Sequence, residues 1–424
     1  MCFVSVNYVS ITVEPWITII AILIILALII VVIRKRRRLW SFYKTWKTAS
    51  VIAKGEEQGL YLVSSNYDKN LDCSSRINPY KDLNRQAALL SYDTNREIPR
   101  SLFSINEYIG SGNFGKVCKG ELKGLYSPDS KTTVAIKSID GPADGPELRD
   151  FLHEIKIMSH IKPHSFLVSM IGSCCLDEGE TREMWLIIEY CPNSDLKNFL
   201  IENKKKLLSE NDLNPINCRC LIYWAYEISK GMQYLAQNKI MHGDLAARNI
   251  LLDDNLIQPG HPIAKIADFG LSKKFYENLT YAKESRVFVP WRWMAIEYMT
   301  CSYFTMASDV WSFMVVLWEI FSLGRLPYGQ QDYEDVLKQL EEGFRLECPK
   351  DINEIKEWCP AKIYESLSNI CFIGDPNERG SFDEVVQIME NEFTENEKMR
   401  YEELNIKYHD QRGHNYMNIG QFKK

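Results

Sequence analysis

Between Trp16 and Ile33 the chain runs for eighteen residues with a single hydroxyl, Thr18, and no charge. A run of that length and character can cross a bilayer only as a helix, because lipid offers no hydrogen-bond partner to an open backbone. Trp16 and Trp40 stand near its ends, where interfacial aromatics belong, and Arg34, Lys35, Arg36, Arg37 and Arg38 follow at once. The positive-inside rule puts that cluster and everything after it on the cytoplasmic side of a cell membrane, where it can also meet anionic headgroups. No basic segment precedes the run and no small-residue cleavage site follows it, which argues against a removed signal peptide. The expected order is an outside segment at 1–15, one span at 16–33 and a cytoplasmic remainder. An outside segment that short cannot fold into a sensing domain. Sensing would fall to a homodimer partner or a co-receptor, although no Gly-x-x-x-Gly marks a helix-dimer face in the span.

The 424 residues carry a formal net charge of -6, which excludes a nucleic-acid binder driven by bulk charge. Twelve cysteines are scattered. The close pairs Cys174-Cys175 and Cys218-x-Cys220 lack the spacing of zinc sites, and reduced thiols used as small buried hydrophobes account for them.

Residues 34–102 are polar and weakly periodic and read as a juxtamembrane linker. Next come Ile109-Gly110-Ser111-Gly112-Asn113-Phe114-Gly115-Lys116-Val117. A lone G-x-G-x-x-G is weak, because dinucleotide folds and surface turns produce it too. Here the alternation after Val117 predicts a strand, so the glycines form a hairpin able to cover phosphates with its amides. A second strand, Thr132-Thr133-Val134-Ala135-Ile136-Lys137, carries a lysine. Pro146 then opens a helix whose apolar face is Leu148, Phe151, Leu152, Ile155 and Met158, with Glu154 on it.

Trp185 to Cys191 is an apolar strand entering a polar turn. The helical run 217–238 delivers the chain to Met241-His242-Gly243-Asp244-Leu-Ala-Ala-Arg248-Asn249, and Ala264-Lys-Ile-Ala-Asp268-Phe269-Gly270 follows. Glycine loop, Lys137, Glu154, Asp244, Asn249 and Asp268 stand in an order and spacing that resemble a protein tyrosine kinase domain of the receptor type, over residues 103–393. Asp244-Leu-Ala-Ala-Arg248-Asn249 is the tyrosine-specific form of its catalytic loop.

The resemblance implies an α+β, two-lobed kinase fold behind one transmembrane helix. Its parts would be a small, mostly β N-lobe with one helix at 103–189, a larger, mostly α C-lobe at 193–393, and a tail at 394–424. It implies ATP and Mg2+ as cofactors. The nucleotide would lie under residues 109–117, against Ala135, Lys137 and the hinge residues Ile188, Glu189 and Cys191. Asn249 and Asp268 would hold the metal, since hard cations take oxygen ligands. Asp244 would orient a substrate tyrosine, Arg248 would neutralise the transferring phosphoryl group, and Glu154 would pair with Lys137. Glu297 and Arg379 are expected to form a buried pair, and Ser308 to Ile320 a buried helix under the catalytic loop.

Three departures from the pattern stand out, and two of them, Gly243 and Ile296, motivate an alternative, a catalytically weak kinase-like scaffold. Gly243 replaces the arginine that usually precedes the catalytic aspartate and receives a phosphorylated activation loop, so reliance on the regulatory Tyr276 and Tyr281 is expected to be weak. Ile296 stands where proline is usual, and Val287-Phe-Val-Pro does not align with the usual Pro-Val. In the tail, Tyr401-Glu-Glu-Leu and Tyr416-Met-Asn-Ile resemble docking sites for phosphotyrosine-binding modules.

Overall fold

A computed structural model of the protein describes residues 78, 81–112, 115–139, 146–175, 184–208, 217–254, 261–269, 290–301, 303–349 and 361–413. The outside segment, the expected span and most of the linker lie outside these residues. Among the described residues no helix is long and apolar enough to cross a membrane.

Strands β1 (Phe103–Gly112), β2 (Gly115–Lys123) and β3 (Lys131–Ile139) follow one another antiparallel, and β4 (Met170–Cys174) and β5 (Trp185–Glu189) complete a five-stranded sheet of order β1-β2-β3-β5-β4. The period of two in β3 explains its position. Val134 and Ile136 join Ile98, Phe103, Leu122, Trp185 and Ile187 in a small core. Ala135 and Lys137 fall on the alternate face, where Ala135 pairs with Ile188 and Lys137 with Leu186.

Helix α1 (Pro146–His160) begins at the expected proline, and Phe151, Ile155 and Met158 bury its apolar face. They belong to a larger core that takes in Leu186 and Phe269 and continues into the helical lobe. That lobe contains α2 (Leu196–Glu202), α3 (Lys204–Leu207), α4 (Arg219–Gln237), α5 (Ile296–Cys301), α6 (Met306–Phe321), α7 (Tyr333–Glu341), α8 (Ala361–Cys371), α9 (Phe382–Glu390) and α10 (Glu395–Gly413). Between α4 and α5 the strands β6 (Ile250–Asp253) and β7 (Ile263–Ile266) pair antiparallel, Ile250 opposite Ile266. Helix α6 is buried nearly all round, with Trp311, Phe313, Val315, Leu317 and Phe321 fully enclosed, as a core helix must be. At its start Ser308 Oγ accepts the Thr305 N–H at 3.0 Å. The architecture is the two-lobed kinase fold.

Residues on either side of 103–393 pack against it. Asn84 donates through Nδ2 to the Met241 carbonyl at 3.0 Å and accepts the Met241 N–H through Oδ1 at 2.8 Å. Ala87 and Leu90 enter the large core, and the Ile98 N–H meets the Ser173 carbonyl at 2.8 Å. At the other end, Leu404 of α10 packs with Phe166 and Ile263. The nine cysteines described are free thiols.

Candidate active site

The sheet and the two-stranded pair bring the expected residues to one cleft. Lys137, 1% exposed, places Nζ 2.8 Å from Glu154 Oε1 and 2.8 Å from Asp268 Oδ1. Burial alone would discharge the ammonium, but the charges of Asp268 and Glu154 outweigh it and hold Lys137 protonated, above the ordinary lysine range. The same ammonium keeps Asp268 below the usual carboxylate range despite the opposing effect of burial. Asp268 sits at φ +55°, a left-handed conformation rare for a residue with a side chain and typical of functional sites.

The catalytic loop is held from beneath by three buried groups. Asp309 on α6 accepts the backbone N–H of His242 at 2.8 Å and of Gly243 at 3.0 Å. Glu319, at the far end of the same helix, accepts the Ala247 N–H at 2.9 Å and Trp293 Nε1–H at 2.7 Å. Burial pushes both carboxyls up to about 7. His242 takes the Asp244 N–H on Nδ1 and donates through Nε2 to the Ala267 carbonyl at 3.1 Å, tying the loop to Asp268. Burial lowers its imidazole to about 4, so it is neutral at ordinary pH.

Above this support, Asn249 Nδ2 donates to the Asp244 backbone carbonyl at 2.6 Å and to Asp244 Oδ2 at 2.9 Å, while Arg248 donates to Oδ1. Burial raises the Asp244 carboxyl above its ordinary range against the pull of Arg248 and Asn249, and the Asp268 charge adds to the rise. Asp244 therefore combines acceptor character with affinity for a proton, as a base for a hydroxyl requires. Arg248 also lies over the Trp293 ring, 4.4 Å from its centroid, which joins the catalytic loop to the segment before α5.

Of the expected nucleotide-site residues, Ile109 and Gly110 lie near the end of β1, Gly110 pairs with Val117 and Lys116 with Ser111, and Val117 stands opposite Lys137. The backbones of Ser111 and Gly112 are described; Asn113 and Phe114 lie outside the described residues. Ile188 packs beside a small cluster of Val168, Cys191 and Ala267, with Leu251. Sequence reasoning did not find Leu251, Ala267 or Val168. Leu251 had a signal: it alternates with the buried Ile250 and Leu252 two residues past Asn249. Lys265, the buried partner of the expected hinge residue Glu189 at 2.8 Å, is a second omission.

Gly243 stands at φ +81°, so glycine suits this turn rather than loosening it. Ile296 is the first residue of α5 and the helix forms without a proline. Glu297 and Arg379 make the expected pair, bidentate at 2.8 and 2.9 Å. Tyr401 does not meet the expectation of an accessible docking residue: its hydroxyl reaches inward to Glu227 at 3.0 Å, and its ring packs on Tyr226 and Phe393. Helical spacing turns it to the domain. Tyr276, Tyr281, Tyr416 and Val287-Phe-Val lie outside the described residues.

The donor set suits a magnesium nucleotide. Two carboxylates and a side-chain amide converge on the cleft, and the amide, with Nδ2 bound to Asp244, presents its oxygen for a cation.

Residues 103–389 match the family described as protein tyrosine and serine/threonine kinase. Vascular endothelial growth factor receptor 3 of Danio rerio is 32% identical over 357 residues, covering 74% of this chain and 25% of that protein. Tyrosine kinase receptor Cad96Ca of Drosophila melanogaster is 32% identical over 326 residues, 76% of this chain and 39% of the relative. Tyrosine protein-kinase src-1 of Caenorhabditis elegans is 34% identical over 306 residues, 72% and 52%. The chain thus spans about a quarter to a half of the length of these relatives.

Proposed function

Since the chain belongs to the protein tyrosine and serine/threonine kinase family and carries a tyrosine kinase domain, we propose that it transfers the γ-phosphate of ATP to tyrosine hydroxyls of protein substrates, at the cytoplasmic face of a membrane crossed at 16–33. The observation that carries this reading is the ammonium of Lys137 held between Glu154 and Asp268 at 2.8 Å each, with Asp244 and Asn249 in the same cleft. Mg2+, held by Asn249 and Asp268, would supply charge neutralisation for the phosphates. Lys137 would bind the α and β phosphates, and the glycine-rich segment 109–117 would cover them. Backbone groups of Glu189 and Cys191 would hold adenine against Ala135, Leu251 and Ile188. Asp244 accepts the hydrogen bond of the incoming hydroxyl and orients it for in-line attack, and Arg248, braced on Trp293, lies beside it.

The scaffold alternative loses its footing at Gly243, because the conformation there is one that glycine adopts without strain. We further propose that activity depends weakly on phosphorylation of Tyr276 and Tyr281, and that Tyr401 binds a phosphotyrosine module only after leaving Glu227. The full chain, supplied with ATP, Mg2+ and either a tyrosine peptide or its serine counterpart, tests the central reading. Phosphate on the tyrosine peptide alone is expected. Equal transfer to both would remove the tyrosine assignment, and ATP binding without transfer would restore the scaffold.

A further inference from the structure

The hinge residue Glu189 is held by a buried ring of groups that reaches the last turns of α10. The Ser169 N–H donates to Glu189 Oε1 at 2.7 Å, and the Glu189 N–H returns to the Ser169 carbonyl at 3.1 Å. The other carboxylate oxygen of Glu189 accepts from Lys265 Nζ at 2.8 Å, and Lys265 is fixed from the far side by Asp253 at 2.9 Å. Tyr408 closes the ring. Its hydroxyl lies 2.6 Å from Ser169 Oγ, and Lys265 Nζ stands 4.8 Å from the centre of its aromatic ring. Tyr408, Ser169, Lys265 and Glu189 are each 6% exposed or less. A buried polar network of this kind has one low-energy arrangement, because any member moved leaves another unsatisfied. Helix α10 is brought to it by one narrow stripe, since Tyr401, Leu404 and Tyr408 follow one another at helical spacing. Asn405 on the same helix accepts from Ser165 Oγ at 2.7 Å.

We propose that Tyr408 is a positioning residue for the nucleotide-binding hinge, so that helix α10, beyond the catalytic domain proper, sets the affinity for ATP. The proposal rests on the reading of Glu189 and Cys191 as the adenine contacts. Tyr408 touches neither substrate nor cofactor. It holds Ser169 and Lys265, these hold Glu189, and Glu189 presents the backbone to the base. Loss of the hydroxyl therefore raises KM for ATP and leaves kcat nearly unchanged, because the groups around the transferring phosphate are undisturbed.

The test uses the full chain and three variants: Tyr408→Phe, Tyr408→Ala and, as a control on the solvent face of α10, Lys407→Ala, whose ion pair with Glu403 is half exposed. Steady-state kinetics at saturating tyrosine peptide are read beside amide hydrogen exchange over residues 186–191. Tyr408→Phe is expected to raise KM for ATP about threefold to tenfold, the worth of one hydrogen bond, with kcat within about twofold of the parent. Tyr408→Ala is expected to go further, with faster exchange at the hinge, and Lys407→Ala to match the parent in both. Unchanged KM for ATP together with unchanged hinge exchange in Tyr408→Phe and Tyr408→Ala overturns the proposal. A parent chain that binds no ATP would sink the kinase reading instead, and the exchange comparison would still decide whether Tyr408 holds the hinge.

Discussion

Gly243 has φ +81°, and placing a side chain in that region costs about 1–2 kcal/mol. Gly243→Ala should therefore lower stability by about that amount in urea unfolding; an unchanged midpoint would show that the turn relaxes freely. Glu227 gives the chain a pH dependence of definite sign. Burial raises its carboxyl from 4.5 to about 8, against the Ala264 N–H and the Tyr401 hydroxyl. Between those two values the folded protein keeps a proton that the unfolded chain releases, so stability falls as pH rises through the window. Glu227→Gln preserves the protonated geometry and should remove about 1–2 kcal/mol of the decline between about pH 6.5 and 8, read as a flatter melting-temperature profile. A profile parallel to the parent's would contradict this. The two residues also mark how far the sequence could be read. Lys137, Asp244, Asn249 and Asp268 are legible because their chemistry demands fixed residue types at fixed spacing. Glu227 is not, since on α4 it sits among ordinary apolar positions and its partners Ala264 and Tyr401 lie far along the chain.

Single elements were legible where periodicity met a capping signal. Pro146 and the face of Phe151, Ile155 and Met158 gave α1 with its start, and the apolar run of α6 gave a core helix. Helix α10 was not, because its sequence is charged and, among its described side chains, only Leu404 and Tyr408 are buried, with Tyr401 half-buried beside them. Likewise Asn84, Ala87 and Leu90 dock a segment whose weak periodicity reads as linker; a side-chain amide closing both hydrogen bonds of Met241 leaves no periodic trace. At this scale the Glu297–Arg379 bridge pins α5 to the loop after α8, and Arg379 also donates to the Ala307 and Ile373 carbonyls. Arg379→Met should destabilise the chain by about 3–5 kcal/mol, because it leaves the nearly buried Glu297 carboxylate without its cation. Adding Glu297→Leu should recover part of that loss in chemical denaturation, and a strictly additive double variant would show that the charges do not interact.

For the whole molecule, the two-lobed body follows from how the sequence distributes apolar residues: a small core behind the five-stranded sheet and a large one around α4 and α6, which α1 joins through Phe151 and Ile155. Lys137, Glu154 and Asp268 meet where the sheet faces the helices. The expected span at 16–33 predicts that the full chain stays in the membrane pellet after alkaline extraction and that a tag before residue 15 is protected in sealed inside-out vesicles; a chain released into the soluble fraction would contradict the anchor. The central claim, that Asp244 acts as the base of a working phosphotransferase, is tested by comparing the parent chain with Asp244→Asn for ATP affinity and for transfer to a tyrosine peptide. The predicted result is ATP affinity within about threefold and a transfer rate lower by about 10²–10⁴-fold. Equal rates in the two proteins would contradict it.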